Sequence, residues 1–297
     1  MKRTTGERVF GAFNILIMLF IMAVIIVPML HIIALSVSSA EAINYNRVTV
    51  YPIGFNFAAY KRIIGFSTFS TSLVNTVFIT IIGTALAVIM TVLLAYAMSQ
   101  DFPGKKIVTY FFVVSMYFSG GLIPTYIVFS KYLHLRNTYW VLFITGIVNV
   151  FYMIVVRSQI EAMPQSVFEA ARIDGAGEFQ TLFRITLPMI SPTVAAISMF
   201  FALGYWNSWY NVMVYTDNQQ FWTLQYFLRV VVLQKLINAN DISIATQLQQ
   251  GTAQESFIPE ANFRMACVII VAAPIVAIYP FVQKYFVKGI IAGSVKG

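Results

Sequence analysis

The sequence predicts an all-α integral membrane protein whose chain crosses a bilayer six times. Of its 297 residues 59% are hydrophobic and only 10% are charged, with a mean hydropathy of +0.77, a balance that sets it apart from soluble globular domains. The apolar residues gather into long runs, several close to the ~20 residues a helix needs to cross hydrocarbon. The charged residues fall between those runs or at their ends. Lipid offers no partner to an open backbone, so spanning segments of this length must be helical.

The first span lies near residues 10–35, behind Lys2, Arg3 and Arg8. Ser38-Ser39-Ala40 resembles a signal-peptide cleavage site, but the apolar run before it is too long for a signal core and long enough to span. Pro28 and His31 near its outer end read as a kink and an interfacial polar group. A mixed connection from Ala40 to Thr71 turns at Pro52–Phe55, and the second span follows near 73–98, interrupted by Asn75 and Gly83. A turn through Asp101–Gly104 leads to the third span, near 107–129, broken by Ser119-Gly120-Gly121 and Pro124. Backbone groups freed by such a break must face protein or a water-filled cavity, so a solute pathway is expected there. The fourth span lies near 138–156 and ends at Arg157; a polar loop occupies 158–188. The fifth lies near 189–209, an outer loop covers 210–261, the sixth lies near 262–282 and a tail fills 283–297.

Six spans put both ends on one side. With that side inside, it collects Lys2, Arg3, Arg8, Lys105, Lys106, Arg157, Arg172, Arg184, Lys284, Lys288 and Lys296, the larger share of the nineteen Lys and Arg. Basic residues in short loops and termini favour the cytoplasm, which places the termini and the 158–188 loop there.

The composition excludes several functions. A single cysteine, Cys267, forms no disulfide within the chain and sits in an apolar run as a small hydrophobe. Two separated histidines, His31 and His134, make no metal site, and no nucleophile–base set or paired carboxylate falls in a span. Every Asp and Glu lies outside the spans, which argues against ion-coupled transport. No phosphate-binding G-x-x-x-x-G-K-[ST] loop occurs, and the basic residues form no single patch, so neither ATP nor nucleic acid is expected as a ligand. No catalytic residue, metal or cofactor is expected in this chain.

The polar loop carries the most specific pattern. Pro164 can open a helix at its first position, and Ser166 to Ile173 continue it. Asp174-Gly175 breaks it, because Gly175 accepts the positive φ of a sharp turn. A second helix should begin near Glu178 and stop before Pro188. Phe168, Ala171, Phe179, Leu182, Phe183 and Ile185 form an apolar set that needs a partner, either the chain's own spans or another protein.

Glu169-Ala170-Ala171, three residues, Gly175, nine residues, then Ile185-Thr186-Leu187-Pro188 resembles the EAA loop of permease subunits in ATP-binding-cassette (ABC) importers. The tract Phe118 to Tyr126, the pair Trp206-Asn207, and the ending from Gln283-Lys284-Tyr285 through Val295-Lys296-Gly297 are similar to the second permease subunit of carbohydrate importers of the maltose type. Gly120-Gly121-Leu122-Ile123-Pro124-Thr125-Tyr126 most resembles the subgroup that handles oligosaccharides and polysaccharide fragments. The resemblance implies a type I importer permease (MetI-like) architecture in a bacterial cytoplasmic membrane. It also implies a homologous second permease, two copies of an ATPase that bind the ATP and Mg, and an extracytoplasmic sugar-binding protein.

On that resemblance, Glu169, Ala170, Ala171, Asp174, Gly175, Ile185, Leu187 and Pro188 would form the coupling helix seated in the ATPase. Lys288, Gly289, Lys296 and Gly297 would belong to a tail that touches the ATPase, though composition alone makes it only a positive-inside anchor. Trp222, Tyr226 and Arg229 of the outer loop would meet the binding protein, or anchor a solvated loop at the interface. Tyr117, Gly120, Gly121, Pro124, Asn149, Tyr152, Trp206 and Asn207, with Tyr126, Tyr205 and Trp209 nearby, are the candidates for a sugar path, since sugars stack on aromatic faces and bond to amides. Aromatics at span ends also read as a membrane-interface belt. In maltose-type importers the defined sugar site lies mostly on the other permease. Two alternatives stand beside the sugar importer: the same architecture carrying a peptide or polyamine, and a channel or scaffold with no ATPase.

Overall fold

A computed structural model describes residues 5–118, 120–234 and 258–294, with the side chains of residues 5, 7, 8, 233, 234 and 281–294 left undescribed. Every regular element among these residues is helical. The α-helices are, in order, α1 (Thr5–Ser36), α2 (Ala40–Asn44), α3 (Ala58–Ile64), α4 (Ser67–Ser99), α5 (Lys105–Tyr117), α6 (Leu122–Ile127), α7 (Tyr139–Ile144), α8 (Val150–Glu161) and α9 (Gln165–Ile173). They continue with α10 (Glu178–Thr181), α11 (Leu187–Met189), α12 (Ser191–Trp206), α13 (Tyr210–Tyr215), α14 (Leu224–Gln234) and α15 (Glu260–Ser294).

Three helices are long and apolar enough to span alone: Val9–Ser36 within α1, all of α4, and Glu260–Pro280 within α15. Two bent pairs add up to two more. In one, the run Leu122–Tyr132 is bent by 110° from α5; in the other, α12 is bent by 84° from Glu178–Met189. The region of the expected fourth span is divided, with α7 and α8 separated by Thr145–Asn149. Length and composition thus support three to five spanning units among the described residues, against the six that hydropathy suggests.

The chain divides into two compact units, one made of Met1–Ser67 and Leu228–Ala273, the other of Thr68–Phe227 and Pro274–Gly297. In the first unit α1 ends in a knot of local hydrogen bonds. Ser38 Oγ accepts from the Ile53 amide at 3.1 Å, Ser39 caps α2, and the amide of Asn262 on α15 donates to the Leu35 carbonyl at 2.7 Å. Ala34, Ala42, Ile43 and Val48 bury themselves beside Leu35 and Ala261. His31 bonds through Nδ1 to the Thr49 carbonyl at 2.6 Å, as suits a polar group at an interface. Pro28 sits inside α1 without ending it.

The second unit is built on α4. Its buried residues recur at three- and four-residue intervals, from Ile79, Gly83 and Ala87 to Val92, Ala95 and Tyr96, the stripe expected of a helix facing protein along one side. Its C-terminal half packs in one cluster with Met153, Val156 and Ile160 of α8, with Met163 and Leu182, and with Ile190 and Ile197. Gly83 does not interrupt α4. A Cβ there would stand 2.8 Å from the ring of Tyr205 on α12, and one on Gly146 would stand 3.2 Å from its hydroxyl. The two glycines form a slot for that ring, whose hydroxyl donates to the Phe143 carbonyl at 2.9 Å.

Candidate coupling loop and pathway cavity

The loop after α8 folds as two helical arms around a glycine. Pro164 serves as the N-cap of α9, with ψ 131°, one place earlier than expected. The C-terminus of α9 closes by two bonds, from the Ala176 amide to the Ala171 carbonyl at 2.9 Å and from the Gly175 amide to the Arg172 carbonyl at 3.1 Å. This is the Schellman arrangement, and it requires the residue after the cap to be left-handed; Gly175 has φ +73°. The expected glycine turn is therefore present, with Asp174 as the C-cap.

The second arm does not stop before Pro188. It begins at α10, widens over Leu182–Thr186 so that the Leu187 amide reaches back five residues to the Leu182 carbonyl, and continues as α11 through Pro188 to Met189. A proline deprives the carbonyl four residues earlier of its donor and crowds it. The widened turn before Pro188 absorbs that conflict, as π-bulges do.

Packing sorts the apolar set into two faces. Ala171 and Leu182 are buried, and Phe168 packs against the same cluster. Ile185 and Leu187 are half-buried, while Glu169, Ala170, Asp174, Gly175 and Pro188 are exposed. Phe179 is 74% exposed, Phe183 53% and Ile173 85%. One face thus belongs to the chain's own core, and the other presents three large apolar side chains outward. Before the loop, Glu161 accepts from Arg157 at 2.9 Å and lies 3.6 Å from Lys105, which ties the adjoining ends of α5 and α8.

Sequence reasoning missed the bond that holds the second arm. Tyr96 on α4 donates to Glu178 Oε2 at 2.6 Å. Glu178 was legible only as a helix start, and Tyr96 as one aromatic near the end of an apolar run; nothing local pairs residues 82 apart.

The candidate pathway residues separate. A cavity of about 280 Å³ opens where α7 and α8 part, lined among others by Gly146, Asn149, Tyr152, Gly204, Asn207 and Asn211. Its lining holds aromatic, amide, hydroxyl and glycine residues and no charged side chain among the described residues. Tyr152 stacks on Phe200 with ring centres 5.8 Å apart and meets Phe201 edge-on at 5.0 Å. Asn149 caps α8 by accepting from the Tyr152 amide at 3.1 Å, and Asn207 accepts from Gln225 at 2.8 Å. Tyr205 and Trp209 also line the cavity; Trp206 is buried and does not. Tyr117, Gly120, Gly121 and Pro124 lie at the exposed corner between α5 and α6, with Gly121 at φ +82°, and Ser119 falls outside the described residues. Tyr126 stacks on Tyr215 instead, 5.8 Å between centres.

In the segment expected to form the outer loop, Trp222 is buried and meets Tyr226 edge-on at 5.1 Å, and Arg229 is exposed on α14. The segment expected to be a solvated loop thus begins as helix, through α13 and α14. At the other end α15 carries the backbone of Lys288 and Gly289 in helix, while Lys296 and Gly297 lie outside the described residues.

No family model matches the chain. Protein LplC of Bacillus subtilis is 35% identical over 298 residues, covering 100% of this chain and 98% of its own length. The polygalacturonan/rhamnogalacturonan transport system permease protein YtcP of the same organism is 34% identical over 273 residues, covering 92% and 93%. Among solved structures, a chain of a bacterial ABC transporter that imports the acidic polysaccharide alginate superposes with a TM-score of 0.85 at 28% identity, over 96% of this chain and 99% of that one.

Proposed function

The chain belongs to the permease subunits of ABC sugar importers, non-catalytic multi-pass membrane proteins, and from that premise we propose that it forms half of an ATP-driven, binding-protein-dependent importer of oligosaccharides. The observation that carries the proposal is the two-faced loop. Its Schellman turn sets its shape and the buried Leu182 fixes it to the core, while Phe179, Phe183 and Ile173 face out. A partner that covered those three would bury area worth roughly 1.5–3 kcal/mol for each large side chain. The ATPase is the partner we assign, with the exposed Glu169, Ala170 and Gly175 at the contact and the buried Ala171, with Asp174, Ile185, Leu187 and Pro188, shaping it.

In this reading the protein crosses the membrane six times with both termini in the cytoplasm, pairs with a homologous permease, and receives sugar from an extracytoplasmic binding protein at the outer loop. Two ATPase copies hold the ATP and Mg, and the tail with Lys288, Gly289, Lys296 and Gly297 reaches them. The sugar path runs by the cavity at Asn149, Tyr152 and Asn207, with Trp206 behind it and Tyr117, Gly120, Gly121 and Pro124 at the α5–α6 corner. Uncharged amides and aromatic faces suit a glycan; a polyamine would call for carboxylates that this lining does not supply.

The test is uptake into proteoliposomes holding the whole importer and its binding protein, with ATP inside and a panel of radiolabelled oligosaccharides, peptides and polyamines outside. ATP-dependent accumulation of an oligosaccharide is expected. Accumulation of spermidine or a peptide and of no sugar contradicts the substrate class.

A further inference from the structure

We propose that α4 is the rod that carries movement of the coupling loop to the outward-facing loop of the same chain, and that the Tyr96–Glu178 hydrogen bond is its inner joint. This rests on the coupling reading of the 158–188 loop given above.

The inner joint has the geometry of a fixed link. Tyr96 is 7% exposed, its ring packed in the cluster that includes Val92, Met98 and Leu182, so its hydroxyl is held in place by packing. That hydroxyl donates to Glu178 Oε2 at 2.6 Å, a short bond of the kind carboxylates accept. Glu178 lies three residues beyond Gly175 in the first turn of α10, on the arm that returns from the loop. A shift of the loop therefore pulls on a directional bond. The loop's contacts with the core cluster through Val167, Phe168, Leu182 and Leu187 are apolar and set no single direction.

The outer joint is tied more tightly still. The Asn75 amide donates to the carbonyls of Gln220 at 2.6 Å and Trp222 at 3.1 Å, while its oxygen accepts from Tyr139 at 2.9 Å. One residue on, Thr76 Oγ1 accepts from the Leu224 amide at 2.7 Å. The segment Gln220–Leu224 is thus pinned to α4 by two adjacent side chains, of which the sequence singles out only Asn75, as an interruption of a span. Between Thr76 and Tyr96 the helix is unbroken and spans roughly 30 Å at 1.5 Å per residue. Hydrogen bonds inside a helix resist compression, and both ends are held by oriented bonds, so displacement at Glu178 reaches residues 220–224 with little loss. Gly83, near the middle, keeps the Tyr205 ring close to the rod without obstructing it.

The experiment uses the complete importer in nanodiscs, carrying Cys267→Ala and Gln219→Cys, the latter an exposed position in the outer loop. Labelling of the introduced thiol by a membrane-impermeant maleimide is timed without nucleotide and after trapping with ATP and vanadate. A nucleotide-dependent change in rate is expected, and Tyr96→Phe should abolish it while the ATPase remains bound and active. Glu178→Ala should do the same from an exposed site that spares the core, Glu178→Gln should keep the change because its amide oxygen still accepts, and the double variant should be no worse than either single one. Persistence of the full change in both Tyr96→Phe and Glu178→Ala overturns the joint. Absence of any change or of a bound ATPase before either substitution overturns the coupling reading itself, and the joint with it.

Discussion

At Gly83 the lack of a side chain is what lets α4 and α12 approach. An added Cβ would meet three atoms of the Tyr205 ring within 2.9 Å, and that ring is fixed by its bond to Phe143 and by Gly146 behind it. Gly83→Ala is therefore expected to destabilise the protein by about 1–3 kcal/mol, the range of core overpacking, whereas Gly204→Ala, whose Cβ meets nothing within 4 Å, should be tolerated. Thermal midpoints in one detergent check both. Asp217 invites a pH test. Hydrogen bonds from Asn137 and then from Arg136 hold its carboxyl below the usual carboxylate range and tie residues 136–137 to the segment that follows α13. A lowered folded value means the contribution is present above the ordinary value and is lost as pH falls through the lowered one. The difference in thermal midpoint between wild type and Asp217→Asn should thus be present at pH 7 and close below roughly pH 4; a difference independent of pH contradicts the link. At this scale the sequence was legible where conformation alone decides, as at Gly175, where only glycine suits φ +73°. It was illegible for Tyr96–Glu178 and Asn75–Gln220, because partners 82 and 145 residues apart leave no local trace.

At the scale of elements, the coupling loop shows how one amphipathic pattern serves two partners. Helical spacing grouped Phe179, Leu182 and Phe183 together, yet Leu182 is 2% exposed and the two phenylalanines face outward. Leu182→Ala should cost about 2–5 kcal/mol of stability, as a buried leucine does. Phe179→Ala and Phe183→Ala should leave the thermal midpoint nearly unchanged and reduce the ATPase recovered with the permease. Full ATPase recovery with both phenylalanines removed contradicts the assignment of this face. The two arms and their glycine turn were readable from Pro, Gly and the apolar spacing. The run through Pro188 was not, because a π-turn relocates the conflict proline creates rather than ending the helix. The divided fourth span teaches a similar lesson. Hydropathy registers apolar length, while Thr145–Asn149 parts α7 from α8 without making the run polar. The bend in the third span, by contrast, was readable from Gly120-Gly121 and Pro124.

At the scale of the molecule, composition and run length declared a helical membrane protein, and the spacing from Glu169 to Pro188 pointed to its family, which the relatives bear out. What the chain cannot express alone is coupling, since it carries no phosphate-binding loop of its own. The most direct test is affinity purification of the tagged chain from mild detergent, with recovery and rate of the accompanying ATPase compared between wild type and Gly175→Val. A valine forced to positive φ strains the turn by about 1–2 kcal/mol, and the strain is conformational, because a Cβ at that position meets no neighbour within 4 Å. We expect an ATPase and a second permease to accompany the wild-type chain, and Gly175→Val to express normally while losing ATPase recovery or the stimulation of its rate by sugar-loaded binding protein. A chain that purifies without an ATPase, or a Gly175→Val variant with ATPase recovery and stimulation equal to wild type, would contradict coupling through this loop.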